Sequence, residues 1–426
     1  MENNLKNLEI KEFEWGIIGG GISGIAISEI LSREGHSNVL IDKDPKLASE
    51  TTREFHEWIH TGALYTLIPD KLKTLKFILG AVDDLIEYYS AFERMNLEPT
   101  NCGLKINSNK SRGWFNSNYI HFKYRVKNRK ITFPWLIGLS RSIRLINKIE
   151  EHDWLRRRAG ELEPFKKDYL KEILIELKKI ISFNEKFFLK KTPDFTTNSR
   201  ILLRDLVSTS IQNGMELSLN NPIKKIKKTD NGYLVRGEKE NFLVHKIAVC
   251  AGKGVEEFSD TKIKTSYAPI AVVDGLKDDA ISFVELDYFP KKCINMLTKE
   301  DGIGLVGGIS LNKIEDCEKY LDFVISEHKK QEPNIKVIDR YIGEKNEIIF
   351  KGENRNYLYH IHEDDNNKNI WSIIPGKFTL AFSLAPEFYR RVYKKNPRKS
   401  FKTCKHDEGD RNIVSNTFWE DSINKT

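Results

Sequence analysis

The chain has 426 residues, 39% hydrophobic and 31% charged, with a formal net charge of +8; it is too long for one ordinary core and suits two closely connected domains. No apolar run reaches membrane-spanning length, and Met1 to Phe13 lacks the continuous apolar core of a signal peptide, so a globular protein is expected, with peripheral membrane contact left open. Five cysteines, at 102, 250, 293, 317 and 404, form no C-x-x-C pair, so neither zinc, nor another metal site, nor a disulfide framework is expected, and a reducing cytoplasm fits.

The first predicted elements are a strand, Trp15 to Ile18, a turn, Gly19-Gly20-Gly21-Ile22-Ser23-Gly24, and a helix through Ile25, Ile27, Ile30 and Leu31. Gly19, Gly21 and Gly24 spell G-x-G-x-x-G: the first permits the tight turn, the second lets backbone approach a pyrophosphate, and the third brings helix against strand. A diphosphate is expected on the helix N-terminus, where unpaired N–H groups and the positive dipole end lie. A second strand, Val39-Leu40-Ile41, ends in Asp42, eighteen residues after Gly24. An acid there accepts from a ribose 2′-hydroxyl and disfavours NADP, whose 2′-phosphate would face a carboxylate.

From Thr51 to Lys191 the sequence is aromatic-rich with charged helical patterns; within Lys166 to Lys191, Leu170, Ile173, Leu174, Leu177, Ile180 and Ile181 recur at helical spacing. A solvated amphipathic face explains those lysines better than a patch for an anionic partner, and nucleic acid has no strong support. A helix through Ile201, Leu202, Leu206, Val207 and Ile211 ends at Asn213-Gly214. Strands follow at Glu216 to Leu219, Ile223 to Lys227, Gly232 to Arg236 and Phe242 to Val249, with Asp230-Asn231-Gly232 as a hairpin turn. The last of them runs through Cys250 into Ala251-Gly252, small residues that let the chain pass close to a ligand or simply form a loop.

A mixed segment, Lys262 to about Phe350, carries β-like runs at Ala271 to Val273, Ile281 to Leu286 and Ile303 to Val306, and a helix around Ile314 to His328. Ile370 to Ile374 reads as a strand, Pro375-Gly376 as a break, and Leu380, Leu384, Phe388 and Val392 as a helix that Pro386 kinks or restarts. Beyond Lys395 a mobile tail or extended arm is expected.

Three glycine-bearing strand ends, near 19–24, 251–252 and 375–376, suit a cofactor lying extended across one domain. With His60-Thr61-Gly62-Ala63-Leu64-Tyr65 and Gly376-Lys377-Phe378-Thr379, the chain resembles the FAD-dependent oxidoreductases of the D-amino-acid oxidase superfamily, in the branch of glycerol-3-phosphate and L-2-hydroxyglutarate dehydrogenases. The resemblance covers nearly the whole chain and implies an α/β fold: a Rossmann-like FAD domain from residues 1–60, 192–261 and 351–395, a mixed-sheet substrate domain from 61–191 and 262–350, and a polar tail, 396–426. It implies that Gly19, Gly21, Ser23 and Gly24 hold the pyrophosphate, Asp42 the adenosine ribose, and Ala251 and Gly252 the cofactor's middle. Thr51, Thr52 and Gly62 would lie along pyrophosphate and flavin, and Gly376, Lys377, Phe378 and Thr379 at the pyrimidine edge. A helix N-terminus with an ammonium group suits the negative charge that develops there on reduction, although Lys377 also reads as a solvated helix start. Asp42 stands where the family more often has glutamate, and the substrate-side positions match no single subfamily.

The implied reaction passes hydride from a C–H beside oxygen or nitrogen to flavin N5, with a residue to take the O–H or N–H proton. His60, within the family-like stretch, is the first candidate and His56 the second, each weighed against a structural histidine. His360 and His362 alternate along a strand-like stretch and read as ordinary sheet residues. For an anionic substrate, Arg355 sits where glycerol-3-phosphate dehydrogenase-like proteins carry an arginine near substrate; Arg53 is the weaker alternative, and a surface ion pair is the plain reading of both. Tyr65 and Tyr357 could add hydroxyl contacts. The expected partner is a small molecule, with oxygen or quinone as electron acceptor. Two other readings stay open: an FAD protein with a structural or sensing role and no turnover, and a flavin-dependent RNA-modifying enzyme.

Overall fold

In the computed structural model, the described residues are 10–425 apart from 69, 71, 101–102, 108–112, 126–132, 152–170, 172–173, 176–177, 179–186, 287–292, 349–357 and 405–411. A first sheet contains β1 (Lys11–Ile18), β2 (Asn38–Ile41), β8 (Glu216–Ser218), β9 (Ile223–Thr229), β10 (Gly232–Gly237), β11 (Asn241–Val249), β17 (His360–Glu363) and β18 (Ile370–Ile374). A second contains β3 (Trp58–Ile59), β6 (Phe115–Arg125), β7 (Phe187–Thr197), β12 (Lys264–Asp274), β13 (Ser282–Leu286), β14 (Cys293–Thr298), β15 (Gly304–Gly308) and β16 (Lys336–Glu347). A hairpin, β4 (Leu97–Thr100) and β5 (Gly103–Ile106), stands apart. The helices are α1 (Ile22–Arg33), α2 (Lys73–Tyr89), α3 (Phe133–Glu151), α4 (Ser199–Gln212), α5 (Cys317–Lys329), α6 (Ala381–Tyr393) and α7 (Phe418–Ile423).

The first sheet runs β17-β18-β11-β1-β2-β8, with the β9–β10 hairpin continuing from β11. Strands β18, β11, β1, β2 and β8 are parallel, and the apolar run of β1 explains why: Trp15 and Ile17 are buried on one face and Ile18 on the other, as a doubly covered strand requires. Helices α1, α4 and α6 cover one face, with α2 behind α6. Asn198 caps α4 by accepting from the Ile201 N–H, and Gly214 ends it at φ 95°. Pro386 lies inside α6, buried, and the helix continues through it.

The second sheet runs β16-β12-β15-β14-β13-β6-β7-β3 and is mixed, with β13 and β6 parallel. Strands β6 and β7 were not expected from a stretch read as helical. Ile120, Phe122 and Tyr124 alternate with His121, Lys123 and Arg125, the period-two signal of a strand, and the charged helical patterns around this short run outweigh it in a reading of the whole stretch. The boundaries expected at 60 and 192 fall beside β3 and within β7, both in the second sheet. Of the expected apolar helix face between Lys166 and Lys191, Leu174 is 65% exposed and its five companions lie outside the described residues.

The tail takes another form than a mobile or extended arm. Val414 is buried and pairs with Leu47, and α7 carries a full capping box between Thr417 and Glu420. Trp419 and Ile423 pack on Ile270, Val272 and Leu305, so a polar composition with a few well-placed apolar residues suffices to dock it. Among the described residues no helix is long and apolar enough to cross a membrane.

Beneath α1 the fold buries a complete ion pair. Arg33 donates to both Glu29 oxygens and to the carbonyls of Tyr88 and Arg398, and both side chains are fully enclosed. Arg33→Ala strands a buried carboxylate and is expected to cost about 3–5 kcal/mol in urea unfolding; a loss below about 1 kcal/mol would show that water reaches the pair.

Candidate functional site

Strands β18, β11 and β1 are neighbours and parallel, so their carboxyl ends open on one sheet edge. The chain leaves them through Pro375-Gly376, Cys250-Ala251-Gly252 and Gly19, with Gly376 at φ 66°, Gly252 at 55° and Gly19 at 105°. A Cβ on Gly19 would lie 2.7 Å from the Cys250 carbonyl oxygen and 2.9 Å from the Ala251 Cα, so two of the three loops touch backbone to backbone. A Cβ on Gly24 would sit 1.9 Å from the Gly19 oxygen, which fixes how closely α1 starts against β1.

Around this turn the polar groups are arranged for an anion and a ribose. The Gly20 N–H donates to Asp42 Oδ2 at 2.5 Å, and the Asp44 N–H to Asp42 Oδ1 at 2.8 Å. Burial pushes the Asp42 carboxyl up, and these two donors hold it down. Thr52 Oγ1 accepts from the Ile22 N–H at 3.0 Å, so the short turn Thr51–Arg53 lies across the start of α1. Within 4 Å, a Cβ on Gly21 would meet only Thr52 Oγ1, and one on Gly252 only Asn346 Nδ2, at 3.5 Å. Room beside Gly252, a half-buried acid at the end of β2 and a helix N-terminus fit an extended dinucleotide.

The other end of the edge is reached by the segment around β3. The His60 N–H donates to Thr379 Oγ1 at 2.9 Å, tying this segment to the turn that starts α6. Thr61 donates to Asp194 Oδ1 through its N–H at 2.5 Å and its hydroxyl at 2.8 Å. Gly62 follows at φ 113°, where a Cβ would strike Leu75. Lys377 Nζ lies 5.1 Å from the centre of the Tyr65 ring. The His60 ring is 4.2 Å from that of Trp58 and 5.3 Å from that of Tyr65.

His56 Nε2, Trp58 Nε1 and His60 Nδ1 are enclosed and lack a protein partner among the described residues. Burial, then Lys377 and Lys345, hold His60 well below the ordinary histidine value, and burial and Lys299 bring His56 down to about 3. Both imidazoles are neutral at pH 7. Lys345 forms a buried pair with Glu347 at 2.5 Å, and Lys299 one with Glu57 at 2.6 Å. Glu57 has φ 57°, a conformation costing a residue with a Cβ about 1–2 kcal/mol.

The structure thus brings Gly19, Gly21, Ser23, Gly24, Asp42, Thr51 and Thr52 to one end of the edge and His60, Gly62, Gly376, Lys377 and Thr379 to the other, with Ala251 and Gly252 between. Phe378 turns toward the helix and stacks edge-on with Phe382 at 6.1 Å. Arg53 is no clamp: it pairs with Asp421 and lies 4.3 Å over the Phe418 ring, both on or beside α7. His360 and His362 are neighbouring residues of β17. Arg355 and Tyr357 lie outside the described residues. Asp194, Glu57, Lys299, Lys345 and Asn346 were not anticipated, since no motif or spacing marks them. Among the described residues no cluster of metal-ligating side chains occurs.

A family model described as FAD dependent oxidoreductase matches residues 14–341. The chain is similar in structure to dithionite-reduced L-alpha-glycerophosphate oxidase from Mycoplasma pneumoniae with FAD bound, at 17% identity over 96% of this chain and 100% of that one, with a TM-score of 0.60. L-Proline dehydrogenase from P. horikoshii shares 13% identity over 92% of this chain and 96% of its own, with a TM-score of 0.61. Glycine oxidase from Geobacillus kaustophilus shares 10% over 92% and 97%, with a TM-score of 0.58. Identities this low show a common fold. No curated protein matches the chain significantly.

Burial pushes the Asp194 carboxyl up to about 6, against the hydrogen bonds it accepts from Thr61 and Thr192. A carboxyl whose folded value lies above its ordinary one contributes stability that is complete below about pH 4 and lost as the pH rises through about 6. The stability of the wild-type protein relative to Asp194→Asn should therefore fall between those pH values in urea titrations. Parallel curves across that range would refute the assignment.

Proposed function

We propose, from the fact that this chain belongs to the FAD-dependent oxidoreductase family, that it oxidises a small anionic hydroxy or amino compound at a C–H bond next to oxygen or nitrogen. Its cofactor is FAD, which when bound supplies the hydride acceptor, N5. The observation carrying the reading is the bond that joins the segment bearing His60 to this edge: the His60 N–H donates to Thr379 Oγ1, in the turn that starts the helix after the third glycine-bearing strand.

In this reading Gly21, Ser23 and Gly24 hold the pyrophosphate with backbone N–H groups, Gly19, whose own N–H donates to the Ile41 carbonyl, gives the close backbone approach, Asp42 accepts from the adenosine ribose, and Thr51 and Thr52 flank the diphosphate. Ala251 and Gly252 lie along the cofactor's middle, and Gly62, Gly376, Lys377, Phe378 and Thr379 border the flavin. Lys377 offsets negative charge at the pyrimidine edge. His60, held neutral by burial and by Lys377 and Lys345, is the base that takes the hydroxyl or amine proton. Lys377 favours an anionic substrate, and Arg355 is assigned as its carboxylate or phosphate clamp. Oxygen or a quinone reoxidises the protein.

The similar structures are named for glycerophosphate, proline and glycine, so sn-glycerol 3-phosphate, L-proline, glycine and L-lactate form the panel. Purified protein should be yellow, and at least one of the four should bleach it anaerobically. His60→Gln should keep its FAD and slow that bleaching about 100-fold or more. Bleaching at the wild-type rate in His60→Gln would remove the histidine from the reaction, and an unbleached flavin across anionic hydroxy and amino acids would favour a structural or sensing role.

A further inference from the structure

Glu57 lies between His56 and Trp58, in left-handed backbone, with its carboxylate buried. Every part of it is held. Oε1 accepts from the Ser199 N–H at 2.8 Å and the Ser199 hydroxyl at 2.6 Å, at the start of α4 under the first sheet. Oε2 accepts from Lys299 Nζ at 2.6 Å, in the loop after β14 of the second sheet, and from Trp419 Nε1 at 2.9 Å, on α7. The Glu57 carbonyl accepts from the Thr197 N–H at 2.8 Å, and Lys299 Nζ also reaches the His56 carbonyl at 3.3 Å. Three elements from three regions of the chain therefore converge on one strained residue flanked by the unpartnered ring nitrogens at 56, 58 and 60.

Helix α7 is fastened to the same segment at a second point. Arg53 pairs with Asp421 and covers Phe418, whose ring stacks on Tyr341 of β16 at 4.9 Å. Just before it, residues 413–415 run beside Leu47: the Leu47 N–H donates to the Ile413 carbonyl at 2.8 Å and the Ser415 N–H to the Leu47 carbonyl at 2.9 Å. Leu47 abuts Gly20, where a Cβ would come within 2.2 Å of it. Residues 413–421 thus touch the backing of the glycine loop at one end and the histidine segment at the other.

We propose that Glu57 is a positioning residue and that residues 413–421 form a clasp which, through Trp419, fixes it so that His56, Trp58 and His60 stand in their working places. This rests on the reading of His60 given above. The clasp takes no part in the chemistry itself; a small displacement of a general base is enough to cost much of a rate.

The test uses the FAD-bound full chain with Trp419→Phe, which keeps the ring and removes only the N–H donor, and Glu57→Gln. Visible circular dichroism of the bound flavin, which needs no substrate, is read beside the thermal midpoint and, with the panel member that bleaches the wild type, kcat and KM. Trp419→Phe is expected to alter the flavin dichroism and to lower kcat about tenfold or more with KM little changed, while the thermal midpoint stays near wild type. Wild-type dichroism and kcat in both Trp419→Phe and Glu57→Gln would overturn the proposal, as would losses that merely follow the thermal midpoint. His60→Gln at full rate sinks the histidine's role; Trp419→Phe at full rate with His60→Gln impaired sinks the clasp alone.

Discussion

The close approach of backbone to backbone at Gly19 is the constraint on which the site depends. Gly19 meets Cys250 and Ala251 on one side and the first turn of α1 at Gly24 on the other, with no room for a side chain at either contact. Because β1, β11 and β18 are adjacent and parallel, that meeting point lies on the same edge as Gly376. Three short loops, each forced by its glycine, bring main chain to this edge, and main chain offers N–H groups where a phosphate needs them.

The joint between the two sheets is polar, which is costly, and the cost is met by pairing. Glu57 with Lys299, Lys345 with Glu347, and Asp194 with the Thr61 donors each satisfy a buried charge or acceptor within hydrogen-bonding distance. The histidines take the opposite solution: surrounded by lysines and short of water, they stay uncharged.

The elements of the first sheet were legible because they follow local rules: an apolar run, a glycine at the turn, an acid at the end of the next strand, and Gly214 at the end of a helix. His60, Gly62, Lys377 and Thr379 were legible only through the family resemblance, since nothing in their spacing foretells that the His60 N–H meets Thr379, more than three hundred positions away. Glu57, Lys299, Asp194 and Trp419 were not legible at all. Each owes its role to partners on distant elements, and an isolated glutamate, lysine or tryptophan in sequence reads as surface charge or core. Strands β6 and β7 were missed for a different reason: the alternation of β6 is a short run within a stretch of helical charge patterns, and β7 is buried on both faces from Thr192 to Thr197 and so shows none; the tail was missed because composition averages away the few residues that dock it.

That docking has a bearing on how the protein is made. Synthesis proceeds from the amino end, so Leu47, Glu57 and both sheets leave the ribosome well before Ser415, Trp419 and Asp421 exist to meet them. A nascent chain can lay down most of its architecture, yet the contacts that brace Leu47 and Glu57 are supplied last. Translation halted between residues 375 and 412 yields the strands of both sheets and neither brace, and this later closure orders assembly in time: first the framework, then its fastening.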